Sequence, residues 1–283
     1  MKVFHRSDDL QRYLRDRRTN NRTVGFVPTM GALHQGHLSL VEQSRQDNQL
    51  TVVSIFVNPT QFNDPEDLQK YPRTPGRDIE FLASVGCEVV FLPTVEQVYP
   101  PDLPAPSPLG FGTLATVMEG AMRPGHFDGV AQVVHRLLML TRPDVLYLGQ
   151  KDYQQVAIVR SMIDQRKVPV AVKMAPTVRE EDGLAMSSRN QRLTPAFRRK
   201  APEIYRLLDQ CKAEVLEGES PQRVAKRYLD LLAAIPGFQP EYLDLVDGDT
   251  LLPLHDLDAA ERAVVATAVW AGDVRLIDNV IIK

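Results

Sequence analysis

The chain has 283 residues, 43% hydrophobic and 24% charged, an ordinary globular balance with room for one large or two modest domains. A formal net charge of −3 and a pI near 6.1 leave no basic footprint for tRNA or DNA, so no nucleic-acid partner is expected. No run nears the ~18 apolar residues of a membrane helix, the start at Met1-Lys2-Val3-Phe4-His5-Arg6 lacks a signal-peptide core, and Cys87 and Cys211 form no C-x-x-C, so a reducing cytoplasm is the simplest setting.

The first two-thirds alternates strand and helix signals. Thr23 to Val27 reads as a buried strand and Leu38 to Ser44 as a helix. Between them runs Pro28-Thr29-Met30-Gly31-Ala32-Leu33-His34-Gln35-Gly36-His37, with two histidines three apart at a strand-to-helix turn. In open α/β sheets that edge binds ligands, and a helix N-terminus suits phosphate. Gly31 and Gly36 permit close backbone approach. The stretch is not G-x-G-x-x-G, and it lacks the H-E-x-x-H spacing and third ligand of a zinc site.

Thr51 to Val57 is a β-prone run closed by Asn58-Pro59; Ile79 to Val85 reads as helix and Val89 to Leu92 as strand. Tyr99 to Pro108 carries too many prolines for regular helix and reads as a surface connection. Val130, Val133, Val134, Leu137 and Leu138 mark an amphipathic helix with Asp128 as its candidate N-cap. Val145 to Leu148 is a further strand, Tyr153 to Ile163 a helix, and Val168 to Ala175 the last strand of a series that implies a parallel sheet with right-handed crossovers.

The rhythm changes after about residue 177. Thr194-Pro195 and Ser220-Pro221 each open a helix, with Pro202 set to kink or restart the first. Tyr242 to Val246, Ala263 to Trp270 and Val274 to Ile282 read as strands, with Ala271-Gly272-Asp273 a tight hairpin connection. The expected organisation is an α/β nucleotide-binding domain over 1–177 and a smaller α+β domain over 178–283.

Several loops carry candidate chemistry. Gly149-Gln150-Lys151-Asp152 follows a strand, where Lys151 either meets an anion or points to solvent while Asp152 caps the next helix. Gln155 lies one turn beyond Lys151. Asn58 and Gln61 offer neutral amides for hydroxyl or carboxylate recognition; the bland alternative is a turn built by Asn58-Pro59. Met186-Ser187-Ser188-Arg189 sets two hydroxyls and a guanidinium in a row, able to hold phosphate oxygens.

Taken together, Pro28 to His37, Ser54 to Gln61, Tyr71 to Thr74, Met118-Glu119-Gly120, Arg123 to Phe127, Gly149 to Gln155, Met186 to Asn190 and Gly272 to Asn279 resemble the successive signatures of the pantothenate synthetase family, across essentially the whole chain. The H-x-G-H and M-S-S-R pair alone would indicate only the wider superfamily of nucleotidyltransferases and class I aminoacyl-tRNA synthetases. The resemblance implies a Rossmann-like parallel-sheet domain of that nucleotidyltransferase type. It also implies a homodimeric ligase that joins (R)-pantoate to β-alanine with ATP and Mg²⁺ through a pantoyl adenylate. By that likeness Met30, Gly31, Ala32, Leu33, His34, Gln35, Gly36 and His37 bind ATP, with His37 the proton donor; Gly149, Gln150, Lys151, Asp152, Val178, Met186, Ser187, Ser188 and Arg189 complete the nucleotide site. His34, His37, Lys151 and Arg189 are the expected stabilisers of transferring charge; Gln61 and Gln155 would hold pantoate, Gln61 also β-alanine, with Asn58 beside them. No Mg²⁺ ligand is assigned, although Asp78, Glu119 and Asp152 sit in suggestive loops. Rival readings are another nucleotidyl-transferring enzyme and a non-catalytic ATP-sensing protein with an inherited fold.

Overall fold

The structure, a computed structural model, describes residues 1–18, 22–62, 65–104 and 106–283. It divides into two compact units. The first comprises Met1–Phe111, Gly125–Gly149 and Ile158–Pro176; the second comprises Gly112–Pro124, Gln150–Ala157 and Thr177–Lys283.

In the first unit the elements run β1 (Lys2–Phe4), α1 (Ser7–Arg18), β2 (Val24–Thr29), α2 (Gln35–Asp47), β3 (Leu50–Ile55), α3 (Pro65–Lys70), α4 (Pro75–Ser84), β4 (Val89–Phe91) and α5 (Val95–Val98). A short helix α6 (Met118–Met122) belongs to the second unit; α7 (His126–Thr141), β5 (Val145–Gly149) and β6 (Ala171–Ala175) belong to the first. The helix α8 (Tyr153–Arg166) is shared, its first turn grouping with the second unit. Among the described residues six strands form one sheet in the order β1-β4-β3-β2-β5-β6, with every pairing parallel. The chain steps outward from β2 through β3 to β4, then returns to β5 and β6 on the other side. The β2/β5 boundary is thus a topological switch point, where open α/β sheets bind ligands beyond the carboxyl ends of their strands. β2 and β3 stay in register up to Thr29 and Ile55, so both end at that edge.

Burial explains the strand sequences. β3 and β4 are buried throughout, as expected of strands covered on both faces, whereas the edge strand β6 alternates. Asp144 accepts a hydrogen bond from the Val24 amide at 2.7 Å and pins the start of β2. Thr51, 0% exposed, pairs with the Ser44 hydroxyl at 2.9 Å. The charged start of the chain conceals β1 and α1, because Leu10 and Leu14 are the buried residues of α1. The N-cap position of α7 is occupied by Gly125 at φ +80°, not by Asp128, which lies in the first helical turn. There its charge favours the helix N-terminus without capping it. The proline-rich connection is irregular across 99–104 and 106–108; Ala105 lies outside the described residues.

In the second unit α9 (Pro195–Lys200), α10 (Glu203–Leu216) and α11 (Pro221–Ala233) precede β7 (Phe238–Asp247), β8 (Ala263–Ala271) and β9 (Val274–Ile281). Pro202 ends one helix and precedes the next, as its missing N–H requires. Among the described residues the three strands form an antiparallel sheet, and Gly272 at φ +61° makes the tight β8–β9 connection. The core joins Ile204, Leu208 and Cys211 of α10 and Val224 and Leu232 of α11 to Leu243, Val265 and Leu276 of the sheet. Each leucine buried this fully contributes about 1.5–3 kcal/mol. Among the described residues no helix is long and apolar enough to cross a membrane.

Candidate active site

The histidine pair stands where β2 hands over to α2. Gly31 (φ +83°) and Ala32 (φ +49°) turn the chain sharply. A left-handed alanine is strained by about 1–3 kcal/mol and persists only where its surroundings hold it. The holder is Asp78 of α4. Its carboxylate, 1% exposed, accepts the Ala32 amide at 3.0 Å, the Leu33 amide at 2.8 Å and the Thr74 hydroxyl at 3.2 Å. A Cβ on Gly31 would lie 3.0 Å from an Asp78 oxygen, so the clamp also demands glycine there. Asp78 is therefore occupied by protein donors, which leaves little for a cation.

His34 precedes the first turn of α2 and accepts the His37 amide on its carbonyl at 2.8 Å; the His34 amide donates to His37 Nδ1 at 3.3 Å. The two rings lie 4.0 Å apart at 44°. Because His37 Nδ1 receives a proton, the neutral ring carries its own on Nε2 and can donate from there. Met30 Sδ accepts from the Gln61 amide at 3.0 Å, which joins the histidine loop to the turn after β3.

That turn is organised by Asn58. It is completely buried; its Nδ2 donates to Thr60 Oγ1, to Gln61 Oε1 at 3.3 Å and to the Gly129 carbonyl at 3.2 Å, while its Oδ1 accepts from Tyr99 at 3.1 Å and caps the Thr60 amide. The Gln61 carbonyl accepts from His126 Nδ1 at 2.8 Å, so that neutral ring carries its proton on Nδ1. Asn58 supports Gln61 through that bond, and the glutamine is itself buried, 8% exposed. His126 and Asp78 receive no role from the sequence; three-residue motifs and loop position carry no sign of such long-range bonds.

The remaining expected residues group in the second unit, apart from Gly149 at the end of β5. Gln150–Asp152 form a single 3-10 turn in which the Lys151 side chain is 19% exposed and its ammonium lies 3.7 Å from Asp152. Asn279 donates to the carbonyls of Gln150 at 3.0 Å and Lys151 at 2.8 Å. Gln154 is buried in bonds to Glu119 and to the Leu114 and Val117 carbonyls; its neighbour Gln155 is half-buried. Val178 to Met186 forms a small β-loop, closed by Met186 N to Val178 O at 3.0 Å and turned by Gly183 at φ +92°. Ser187 then caps the turn Ser188–Arg192 by accepting the Arg189 amide. Its hydroxyl proton remains able to donate outward.

Glu119 is engaged elsewhere. Its two oxygens take a bidentate pair from Arg275, both at 2.7 Å, and the Tyr242 hydroxyl at 2.9 Å. Burial alone would raise this carboxyl, but the Arg275 hydrogen bonds and charge, with Tyr242, hold it below the ordinary 4.5. A depressed folded pKa means stability that is present above 4.5 and lost as pH falls through the folded value. Glu119→Gln should therefore be less stable than wild type by about 1–3 kcal/mol at pH 7. That gap should narrow in thermal melts as pH drops from about 5 towards 3; a gap independent of pH would contradict the ionised pair. Asp152 is then the most exposed of the three suggestive carboxylates.

Known proteins share this sequence and fold. The family model described as pantoate-beta-alanine ligase matches residues 2–281. A pantothenate synthetase of Porphyromonas gingivalis is 45% identical over 280 residues, 99% of each chain, and that of Thermus thermophilus is 47% identical over 256 residues, 90% of this chain and 92% of the relative. A crystal structure of the Thermus thermophilus pantothenate synthetase superposes with a TM-score of 0.93 at 43% identity, covering all of both chains. The Francisella tularensis pantoate-beta-alanine ligase, complexed with beta-gamma ATP and beta-alanine, gives a TM-score of 0.79 at 34% identity over 100% of this chain and 98% of its own. With a family match over nearly every residue and a shared fold that places both histidines at the sheet edge, this chain belongs to the pantoate-beta-alanine ligase family.

Proposed function

We propose that this chain condenses (R)-pantoate with β-alanine to pantothenate, consuming ATP and releasing AMP and pyrophosphate. The observation that carries this reading is the match to the ligase family from residue 2 to residue 281. A relative covered over nearly its full length binds beta-gamma ATP and beta-alanine, two of the three reactants in the expected classes.

In the first step a pantoate carboxylate oxygen attacks the α-phosphorus of ATP, the bond to the β-phosphate oxygen breaks, and pyrophosphate leaves. In the second the β-alanine amine attacks the acyl carbon of the pantoyl adenylate, AMP leaves, and the amine gives up its proton. No protein nucleophile is needed, so positioning and charge stabilisation supply the acceleration. His37 Nε2–H and the His34 ring, at the N-terminus of α2, serve as donors to phosphate oxygens. Met30 to Gly36 wrap the nucleotide through a loop whose shape Asp78 maintains. Lys151 and Arg189 neutralise charge that develops on the leaving group, with Gly149, Gln150, Asp152, Val178, Met186, Ser187 and Ser188 completing that nucleotide site. Gln61 and Gln155 orient pantoate, and Asn58 acts through Gln61, to which it is bonded.

Among the described residues no cluster of three or more His, Cys, Asp or Glu is arranged to hold a metal ion. Mg²⁺ bound with ATP would neutralise charge on the phosphate oxygens, and Asp152, beside Lys151, is an exposed carboxylate of the same turn. The family likeness supports a homodimer. The buried thiols Cys87 and Cys211, both pushed up to about 12 by burial, suit a reducing cytoplasm.

The test is AMP release by the purified chain with ATP and Mg²⁺. AMP should accumulate in steady state only when both (R)-pantoate and β-alanine are present, in equal amount to pantothenate. Turnover with a different acid, or none with this pair, overturns the substrate assignment.

A further inference from the structure

The closing strand β9 carries two buried polar residues, Asp278 and Asn279, that the proposed chemistry does not use. Asn279 spends both amide protons on consecutive carbonyls of the Lys151 turn, Gln150 O at 3.0 Å and Lys151 O at 2.8 Å. Its Oδ1 accepts from Gln150 Nε2 at 3.2 Å, which fixes the orientation of the amide independently. The Asn279 backbone N–H donates to Asp278 at 2.8 Å, and Asp278 is gripped by Arg179 through bonds of 2.6 and 3.0 Å. Arg179 in turn stacks 3.7 Å from the Tyr205 ring. Every donor of the Asn279 side chain is thus satisfied by the turn, and the asparagine is itself locked from behind.

We propose that Asn279 is a positioning residue for adenylyl transfer, fixing the Lys151 turn through both carbonyls and so setting where the Lys151 ammonium stands. Three features carry this. A one-turn 3-10 segment has too few internal bonds to hold its own shape. The two carbonyls flank the Lys151 backbone, so losing their partner frees the torsions that aim the side chain. The same dipeptide anchors the other phosphate-facing loop: Arg179, held by Asp278, bridges to Ala185 immediately before Met186. Asparagine is the side chain that does this, because aspartate offers no donor and would set a carboxylate against two carbonyl oxygens. This role rests on the ligase reading above and on Lys151 acting on the phosphates.

The experiment is a single-turnover measurement of pantoyl-adenylate formation from ATP, Mg²⁺ and (R)-pantoate. It compares wild type, Asn279→Ala, Lys151→Ala and the double variant, with thermal melts to count folded protein. Asn279→Ala should form adenylate about 10–100-fold more slowly per folded molecule, since small misplacements of a reacting group cost that much. In the Lys151→Ala background the same substitution should cost less than about twofold, the non-additivity of residues acting through one group. Thr267→Val is the control: it removes the buried 2.6 Å bond to the Tyr242 carbonyl on the neighbouring strand, and should lower the melting temperature with the rate per folded molecule intact. Asn279→Asp, which keeps the side-chain volume, replaces the alanine variant if that one fails to fold, and the same loss is expected. Adenylate formation by a folded Asn279 variant within about twofold of wild type overturns the proposal, as does an undiminished effect in the double variant. If wild type itself forms no adenylate, the ligase reading falls and this role with it.

Discussion

Replacing His37 by alanine lowers turnover by about 10²–10⁴-fold while ATP affinity changes by less than about tenfold, the first range being the usual contribution of a positioned proton donor. The geometry gives the reason. The His34 amide occupies His37 Nδ1, which leaves the proton of the neutral ring on Nε2. A donor aimed at phosphate oxygens strengthens as charge moves onto them, so its removal hurts the transition state more than ground-state binding. At the proposed site ATP would keep the loop amides and the α2 N-terminus, whose shape depends on Asp78 and not on the imidazole. Steady-state kinetics beside equilibrium nucleotide binding checks this. Near-normal turnover in a folded His37→Ala protein would remove His37 from the chemistry, and a large loss of ATP affinity at unchanged turnover would make it a binding residue only.

Lys151→Ala slows the adenylate-forming half-reaction by about 10²–10³-fold, the scale of losing one preorganised charge at a leaving group. The side chain is only 19% exposed and leaves a turn with both carbonyls tied, which is the setting of a fixed cation and not of a solvated one. Attack of β-alanine on preformed pantoyl adenylate should change far less, because pyrophosphate has already departed. Rapid-quench measurement of each half-reaction separates the two. Equal slowing of both steps would shift Lys151 from leaving-group stabilisation to a general binding role, and an unchanged first step would leave it a surface lysine.

Much of the local architecture is legible in the sequence. An apolar run ending at a glycine-bearing turn, followed by a 3.6-residue pattern, defines β2, the histidine loop and α2, and each stands within a few residues of its expected place. Thr194-Pro195, Ser220-Pro221 and the Gly272 hairpin are equally plain, because cap and turn chemistry is local. The first strand and helix are not legible, since a three-residue edge strand and a helix burying two leucines carry little periodic signal. The pattern places the α7 cap at Asp128, but the cap lies three residues earlier at Gly125, whose positive φ the sequence does not announce.

Spacing, periodicity and turn residues act over a few positions, so the amino-acid order alone settled the βα rhythm, the sheet-edge loops and the residue types gathered in them. It was silent on partners. Asp78, Glu119 and Asp152 look alike as loop carboxylates, yet Asp78 clamps amides 45 and 46 positions away and Glu119 grips an arginine 156 positions away. Asn279 reaches back 128 positions to the Lys151 carbonyl. Those assignments came from the folded chain, because a hydrogen bond needs its two atoms within about 3 Å and no local pattern encodes which distant strand will bring the second one there.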